Sequence, residues 1–211
     1  MFRDRIDAGL QLARKLKKYL GDPGVVLAVP RGGVPVAYAV ANELGFPLEV
    51  ILIKKIGHPM NKEYAIGAAS LTDEFIIPNP EASQEYIDDE IERVRKKLKE
   101  MQHKFMWGKE PEDLKGKTVI VIDDGIATGN TLLMTVRMLR KKNPAKIVIG
   151  VPVASHNAIE KLEAEVDEVI SVFVPEQFYG VGAFYEDFEQ VNDEEVIYYL
   201  QKLIKEMRKA S

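Results

Sequence analysis

Five short apolar runs, each closed by turn or polar residues, constrain the fold of this chain more than any other feature: VVLAV (25–29), LEVILIKK (48–55), TVIVIDD (118–124), KIVIGVPV (146–153) and VISVFV (169–174). Apolar runs of this length read as strands buried on both faces. AIGAAS (65–70) is a possible sixth, with a loop of Gly57, His58, Pro59 and Asn61 before it. The segments between them carry helical spacing. Strands alternating with helices predict an α/β fold, an open, mostly parallel twisted sheet with helices on both faces.

The helices are read the same way. Residues 3–20 place Ile6, Leu10, Ala13, Leu16 and Leu20 on one face, and residues 34–44 close at Gly45. Ile87, Ile91, Val94, Leu98, Met101 and Phe105 form an apolar seam among dense charges, which predicts an amphipathic helix over 86–107 packed on its own domain rather than in an intermolecular coiled coil. Helices are also expected over 130–142, ended by Asn143-Pro144, and near 156–165. Asn192 and Glu195 have the spacing of a capping box for a last helix bearing Val196, Leu200, Leu203, Ile204 and Met207.

At 211 residues and 46% hydrophobic content the chain suits one domain, 1–211, large enough to fold without staples. It has no cysteine, which removes thiolate nucleophiles, disulfides and sulfur-ligated zinc, and only His58, His103 and His156, which argues against a histidine-rich metal centre. A net charge of −4 does not mark a nucleic-acid binder, although basic clusters lie at 14–18 and 93–99. No run is long enough to span a bilayer, and the first twenty residues lack a signal peptide's apolar centre, so a cytoplasmic location and no membrane partner are expected.

In open parallel sheets ligands bind beyond the carboxyl ends of the strands. The richest such segment is VIVIDDGIATGNT, 119–131. Asp123 and Asp124 put two carboxylates at a strand end, where they can accept hydrogen bonds from vicinal hydroxyls or hold water on a divalent cation. Gly125, Ala127, Thr128, Gly129, Asn130 and Thr131 then offer backbone N–H groups, hydroxyls and a helix start, which suit a phosphate monoester. A ribose diol beside a 5-phosphate satisfies both halves. A Walker B strand would need a G-x-x-x-x-G-K-[ST] partner, and the chain has none.

With four apolar residues, two acids and a Thr-Gly-x-Thr loop, this segment resembles the signature of the type I phosphoribosyltransferases. More loosely, the Arg3-Asp4-Arg5 start, Pro30-Arg-Gly-Gly-Val-Pro35 and the aromatic Asp187-Phe188 segment resemble uncharacterised members of that family. The resemblance implies the type I phosphoribosyltransferase-like sheet plus a helical and aromatic hood, at 72–115 and 175–190. It implies that Asp123 and Asp124 hold the ribose hydroxyls of phosphoribosyl pyrophosphate and that 127–131 hold its 5-phosphate. Arg31, Gly32 and Gly33 fall where the family's pyrophosphate loop lies, a loop that often holds a non-proline cis peptide. Lys54 and Lys55 end the second strand, and only one of them need touch pyrophosphate. Arg31, Lys54, Asp123 and Asp124 are thereby the expected catalytic residues, and residues 56–63 correspond to a mobile closing loop. His58 within it is read as a solvated loop histidine.

The resemblance further implies Mg²⁺ as cofactor, held mainly by substrate with possible water-mediated contact to Asp123 or Asp124, and a homodimer. Ala127 stands where the hypoxanthine-guanine branch has an Asp, which counts against a 6-oxopurine acceptor; adenine and orotate branches carry Ala there. Phe178 to Phe188 holds five aromatics that could stack a heterocycle, or cover core. Three functions stay open: transfer of the phosphoribosyl group to a small nitrogenous acceptor, non-catalytic sensing of phosphoribosyl pyrophosphate or a nucleotide, and hydrolysis or phosphorolysis of a phosphoribosyl compound. Both acids are expected to face solvent, so replacing them by Asn should weaken binding and leave the fold intact.

Overall fold

The computed structural model describes residues 1–62 and 64–210. Its main sheet has five parallel strands, β1 (Gly24–Ala28), β2 (Leu48–Val50), β6 (Thr118–Ile122), β7 (Lys146–Val153) and β8 (Glu168–Phe173), in the order β2-β1-β6-β7-β8. A second sheet of three antiparallel strands, β3 (Lys54–Gly57), β4 (Ala65–Ala69) and β5 (Glu74–Ile76), lies outside it.

The helices are α1 (Arg5–Leu16), α2 (Gly33–Leu44), α3 (Gln84–Met106), α4 (Asn130–Arg140), α5 (His156–Glu163) and α6 (Asp193–Ala210). Successive strand residues point to opposite faces of the sheet. Val26, Ala28, Ile120, Ile122 and Val148 pack with α1, α2, α3 and α6, whereas Val25, Leu27, Val119, Val121, Ile147 and Ile149 pack with α4 and α5. The sheet is therefore covered on both faces, which is why its strands are apolar throughout.

Local signals act where the residues place them. Gly45 ends α2 in the left-handed conformation, φ 68°, and its N–H bonds to the Ala41 carbonyl. At the start of α6, Asn192 N–H donates to Glu195 Oε2 and Glu195 N–H to Asn192 Oδ1, both at 2.9 Å, a complete capping box. The seam of α3 is buried within its own chain: Ile87, Ile91, Val94, Leu98 and Phe105 all join the core.

Two boundaries differ from the sequence reading. The run 48–55 is not one strand: β2 stops at Val50, Ile51 N–H reaches the Ala28 carbonyl at 2.9 Å, and the chain then crosses to the second sheet, where β3 begins at Lys54. An unbroken apolar run does not show a change of sheet, because both sheets bury it. The first helix is also shorter than 3–20. Asp4 caps it, accepting the Asp7 N–H, a 3₁₀ turn over Lys17–Tyr19 follows, and Leu20 is exposed beyond it.

Among the described residues, no helix is long and apolar enough to cross a membrane.

Candidate active site

Strand β1 has β2 on one side and β6 on the other, so the connections leaving β1 and β6 part to opposite faces of the sheet. This is the switch point at which open α/β sheets form a crevice. Ala28 pairs with Ile122, and Val29 N–H donates to the Ile122 carbonyl at 2.8 Å, so the two strand ends are level. The turn Pro30 to Gly33 therefore lies against Asp123 and Asp124. The fit leaves no room for side chains: a Cβ on Gly33 would lie 2.7 Å from the Ile122 carbonyl oxygen, and one on Gly32 would lie 2.1 Å from Asp124 Oδ2. The Pro30–Arg31 peptide bond is cis, as the resemblance led one to expect.

The acids do not face open solvent, which corrects the sequence expectation. Asp123 is partly buried at the floor of the crevice, and its Oδ1 accepts the Asp124 N–H at 2.9 Å. Desolvation, and then the neighbouring Asp124 charge, push its carboxyl well above the usual range. Asp124 accepts from Arg5 Nε at 2.9 Å, in a pair whose side chains are 11% and 14% exposed. Tyr185 Oη donates to the Asp124 carbonyl at 2.6 Å, and burial raises its phenol pKa. Removing the Asp124 carboxylate thus removes a partner that the fold uses.

Beyond the acids, the chain leaves β6 through a loop fixed from the far side. Ile126 exchanges backbone bonds with β7 and its extension, Ile126 N–H to the Val153 carbonyl and Ser155 N–H to the Ile126 carbonyl. Ser155 Oγ, the cap of α5, donates to the Ala127 carbonyl at 2.6 Å. Lys161 Nζ reaches the Thr128 carbonyl at 3.1 Å and Asn130 Oδ1 at 3.0 Å. Gly129 caps α4 with φ 71°, a conformation that favours glycine. The first helical bond runs from Leu133 N–H to the Gly129 carbonyl, leaving the N–H groups of the first turn outside the helix ladder. Ala127, Thr128, Asn130 and Thr131 are exposed, an arrangement that can receive an anion.

On the other side of the crevice Arg31 and Lys54 line a cavity of about 510 Å³ with Lys97, Lys104, Phe105 and Asp193. Asp193 accepts from Arg31 Nε at 2.6 Å and pairs with Lys104; the Lys104 bond, followed by that of Arg31, holds its carboxyl below the usual range. The Lys54 ammonium is lowered, first by burial and then by the charges of Lys97 and Arg31. Lys97 and Arg31 crowd Lys54, while Asp193, paired with Arg31 and Lys104, and Glu100 are the acids of the same lining. Lys55 is half-buried and is not part of this lining.

The segment expected as the closing loop, 56–63, is only partly a loop. Residues 56 and 57 belong to β3, residue 63 lies outside the described residues, and the turn between is docked on α3. Lys62 Nζ donates to Tyr86 Oη at 2.6 Å and pairs with Glu90 at 3.0 Å, while Tyr86 Oη donates to the Gly57 carbonyl at 2.6 Å. His58 is buried rather than solvated: Nδ1 accepts the Met60 N–H and Nε2 lies 3.2 Å from Glu81.

Of the two hood segments, 72–115 supplies β5 and α3, and α3 brings Lys97 and Lys104 to the cavity. Segment 175–190 turns most of its rings inward. Tyr185 is buried with Phe2, and Phe178, Phe184 and Phe188 pack around them; Tyr179 alone of the five aromatics is largely exposed. Val181 stands where a Cβ on Gly125 would project, so this segment buttresses the acid pair. Arg5, Tyr185, Ser155, Lys161, Lys97, Lys104 and Asp193 escaped sequence reasoning, because their partners are far away in the chain.

The donor set bears on Mg²⁺. Arg5 takes Asp124 Oδ2 and the Asp124 N–H takes Asp123 Oδ1, and among the described residues no group of three or more acids and histidines could hold a metal ion. Mg²⁺ binds through one or two carboxylates together with substrate phosphates and water. The acid pair fits an ion that arrives on a diphosphate.

A family model for the phosphoribosyl transferase domain matches residues 5–188. The chain belongs to that family. It is 35% identical over its whole length to Rv0571c of Mycobacterium tuberculosis (strain ATCC 25618 / H37Rv), provisionally named a phosphoribosyl transferase, and spans 48% of that protein, about half. It is 28% identical over 72% of its length to an amidophosphoribosyltransferase of Rhizobium etli, of which the match covers 24%. The crystal structure of TT1426 from Thermus thermophilus superposes with a TM-score of 0.87 at 39% identity, covering 96% of this chain and 99% of that one.

Proposed function

We propose that this chain transfers the phosphoribosyl group of phosphoribosyl pyrophosphate to a small nitrogenous acceptor and releases pyrophosphate. The observation that carries the reading is the switch-point crevice, where an acid pair stands between an open helix N-terminus and a cavity edged by Arg31, Lys54, Lys97 and Lys104. The ligand it describes has an anion at each end and a diol in the middle.

In this reading Asp123 and Asp124 receive the ribose hydroxyls, Gly125 and residues 127–131 receive the 5-phosphate, and Arg31, the Gly32 and Gly33 backbone and Lys54 receive the pyrophosphate. The bond from the anomeric carbon to the pyrophosphate oxygen breaks, and its electron pair leaves with the pyrophosphate. A nitrogen lone pair of the acceptor forms the new bond from the opposite face, and that nitrogen's proton passes to solvent. Mg²⁺ carried on the diphosphate would neutralise charge on the leaving group. Arg31 and Lys54 stabilise the same charge in place. A homodimer belongs to this reading through family resemblance, since the α3 seam is spent within the chain; a sedimentation mass of one chain would reject it.

The test is calorimetric titration with phosphoribosyl pyrophosphate and Mg²⁺, followed by purine, pyrimidine and pyridine acceptors while pyrophosphate release is measured. Release that depends on an acceptor establishes the transferase. Binding without turnover favours a sensor, release without acceptor favours a hydrolase, and no binding sinks the reading.

A further inference from the structure

We propose that Arg5 is a positioning residue of the phosphoribosyl site, which anchors the Asp124 carboxylate in the orientation that a ribose diol meets. The inference rests on the phosphoribosyl reading above and adds a residue from the first turn of α1, far along the chain from every segment that the reading uses.

Arg5 is held from three sides. Its Nε donates to Asp124 Oδ2 at 2.9 Å, its Nη1 to the Glu189 carbonyl at 2.8 Å, and its guanidinium carbon lies 3.9 Å from the centroid of the Phe188 ring. Phe188 packs on Tyr185, with centroids 4.9 Å apart, and Tyr185 donates to the backbone carbonyl of Asp124 itself. The contacts close a ring, Arg5 to Asp124 to Tyr185 to Phe188 and back to Arg5. Through it the start of α1 and the C-terminal aromatic segment fix both the side chain and the backbone of one acid.

A surface ion pair would contribute little, since water competes for both partners. This one is largely desolvated, and a planar, stacked guanidinium confers direction that a flexible ammonium does not. Arg5 takes one carboxylate oxygen, Oδ2, and leaves Oδ1 outside that bond. That oxygen, together with the adjacent Asp123 carboxyl, is what a vicinal diol would find. Gly32 closes the remaining side at a distance that no side chain allows. Without Arg5, Asp124 would be free to rotate away from that position.

The experiment uses two probes on the whole chain. Phosphoribosyl pyrophosphate engages the ribose contact, whereas inorganic pyrophosphate engages only the cations of Arg31 and Lys54. Arg5→Met should weaken phosphoribosyl pyrophosphate about 10- to 100-fold, the scale on which loss of an outer-shell partner acts, and should leave the affinity for inorganic pyrophosphate unchanged. Arg5→Lys restores the charge without the stack and should recover part of the loss; it also serves if the Met variant fails to fold. Equal weakening of both probes would mean a merely structural role and overturn the inference, as would wild-type affinity in both variants. Failure of the wild-type chain to bind phosphoribosyl pyrophosphate overturns instead the reading on which the inference rests.

Discussion

Gly32 and Asp124 are in such close approach that a Cβ on the glycine would lie 2.1 Å from Asp124 Oδ2. The φ of Gly32 is −57°, which any residue adopts, so space and not backbone freedom demands the glycine. Gly32→Ala forces Asp124 off the position in which Arg5 holds it. Displacement of a substrate-positioning group by about 1 Å costs on the order of 100-fold, so turnover should fall by that scale, and strain on the buried Arg5–Asp124 pair should lower thermal stability as well. Gly33→Ala strains backbone rather than a side chain and should lower both stability and turnover. Its Cβ would press on the Ile122 carbonyl and the Asp123 Cα, backbone atoms that cannot swing away, and overpacking of that kind costs about 1–3 kcal/mol. Activity and melting curves on the two variants test both; wild-type turnover and stability in Gly32→Ala would show that Asp124 is not confined as described.

The two acids should also separate by stability. Asp124→Asn leaves the largely buried Arg5 guanidinium without its counter-charge, and breaking a buried pair from one side costs about 3–5 kcal/mol. Asp123 forms no ion pair among the described residues, and an Asn there can still accept the Asp124 N–H through Oδ1, so its replacement should cost less than about 1 kcal/mol. Urea denaturation of the single variants measures both. An Asp124→Asn protein as stable as the wild type would show that the Arg5 pair contributes nothing.

Desolvation of Asp123 further sets the sign of a pH dependence. Its folded pKa lies above the unfolded value of about 3.9. As pH rises past that unfolded value, the unfolded chain gives up its proton while the folded chain keeps it, so the folded state binds more protons and stability falls with pH. The loss ends once the raised folded pKa is passed. The stability of the wild type minus that of Asp123→Asn should therefore decline as pH climbs from about 4. A difference that stays flat or grows would contradict the desolvation of this carboxyl.

Much of the frame was legible because its signals are local. Continuous apolar strand runs, Gly45 after α2, the Asn192–Glu195 box and the Asp-Asp-Gly to Thr-Gly-Asn-Thr run all act within a few residues. What escaped is non-local. Arg5 and Asp124 are 119 residues apart, and nothing around Arg5 distinguishes it from Arg3, whose side chain is 73% exposed. The aromatic run 178–188 has the composition of a stacking surface, and only the tertiary fold shows that Tyr185 is buried and Phe188 covers Arg5. The division of 48–55 between two sheets escaped for the same reason, since each sheet accepts the same apolar residues.

Lys161 offers a last test, because it touches the proposed phosphate loop from behind and lies outside the acid pair and the cation cavity. Its ammonium donates to the Thr128 carbonyl and to Asn130 Oδ1, on either side of Gly129, while Ser155 holds the Ala127 carbonyl. With those acceptors engaged behind the loop, the N–H groups of the same segment are left to turn toward an anion. Lys161→Met should loosen the loop and weaken ribose 5-phosphate by about 10-fold, as loss of outer-shell support does, with little change in melting temperature because Lys161 is only partly buried. Ser155→Ala removes the same kind of support and also the cap of α5, since the Ala158 N–H loses the Ser155 Oγ that accepts from it, so it should cost about 1 kcal/mol of stability in addition. Calorimetry with ribose 5-phosphate and urea unfolding separate the two effects. If Lys161→Met binds ribose 5-phosphate as tightly as the wild type, the 125–131 loop is not the phosphate site or does not need its rear support, and ribose 5-phosphate titration of a Thr128→Val variant distinguishes these: retained affinity there removes the phosphate assignment.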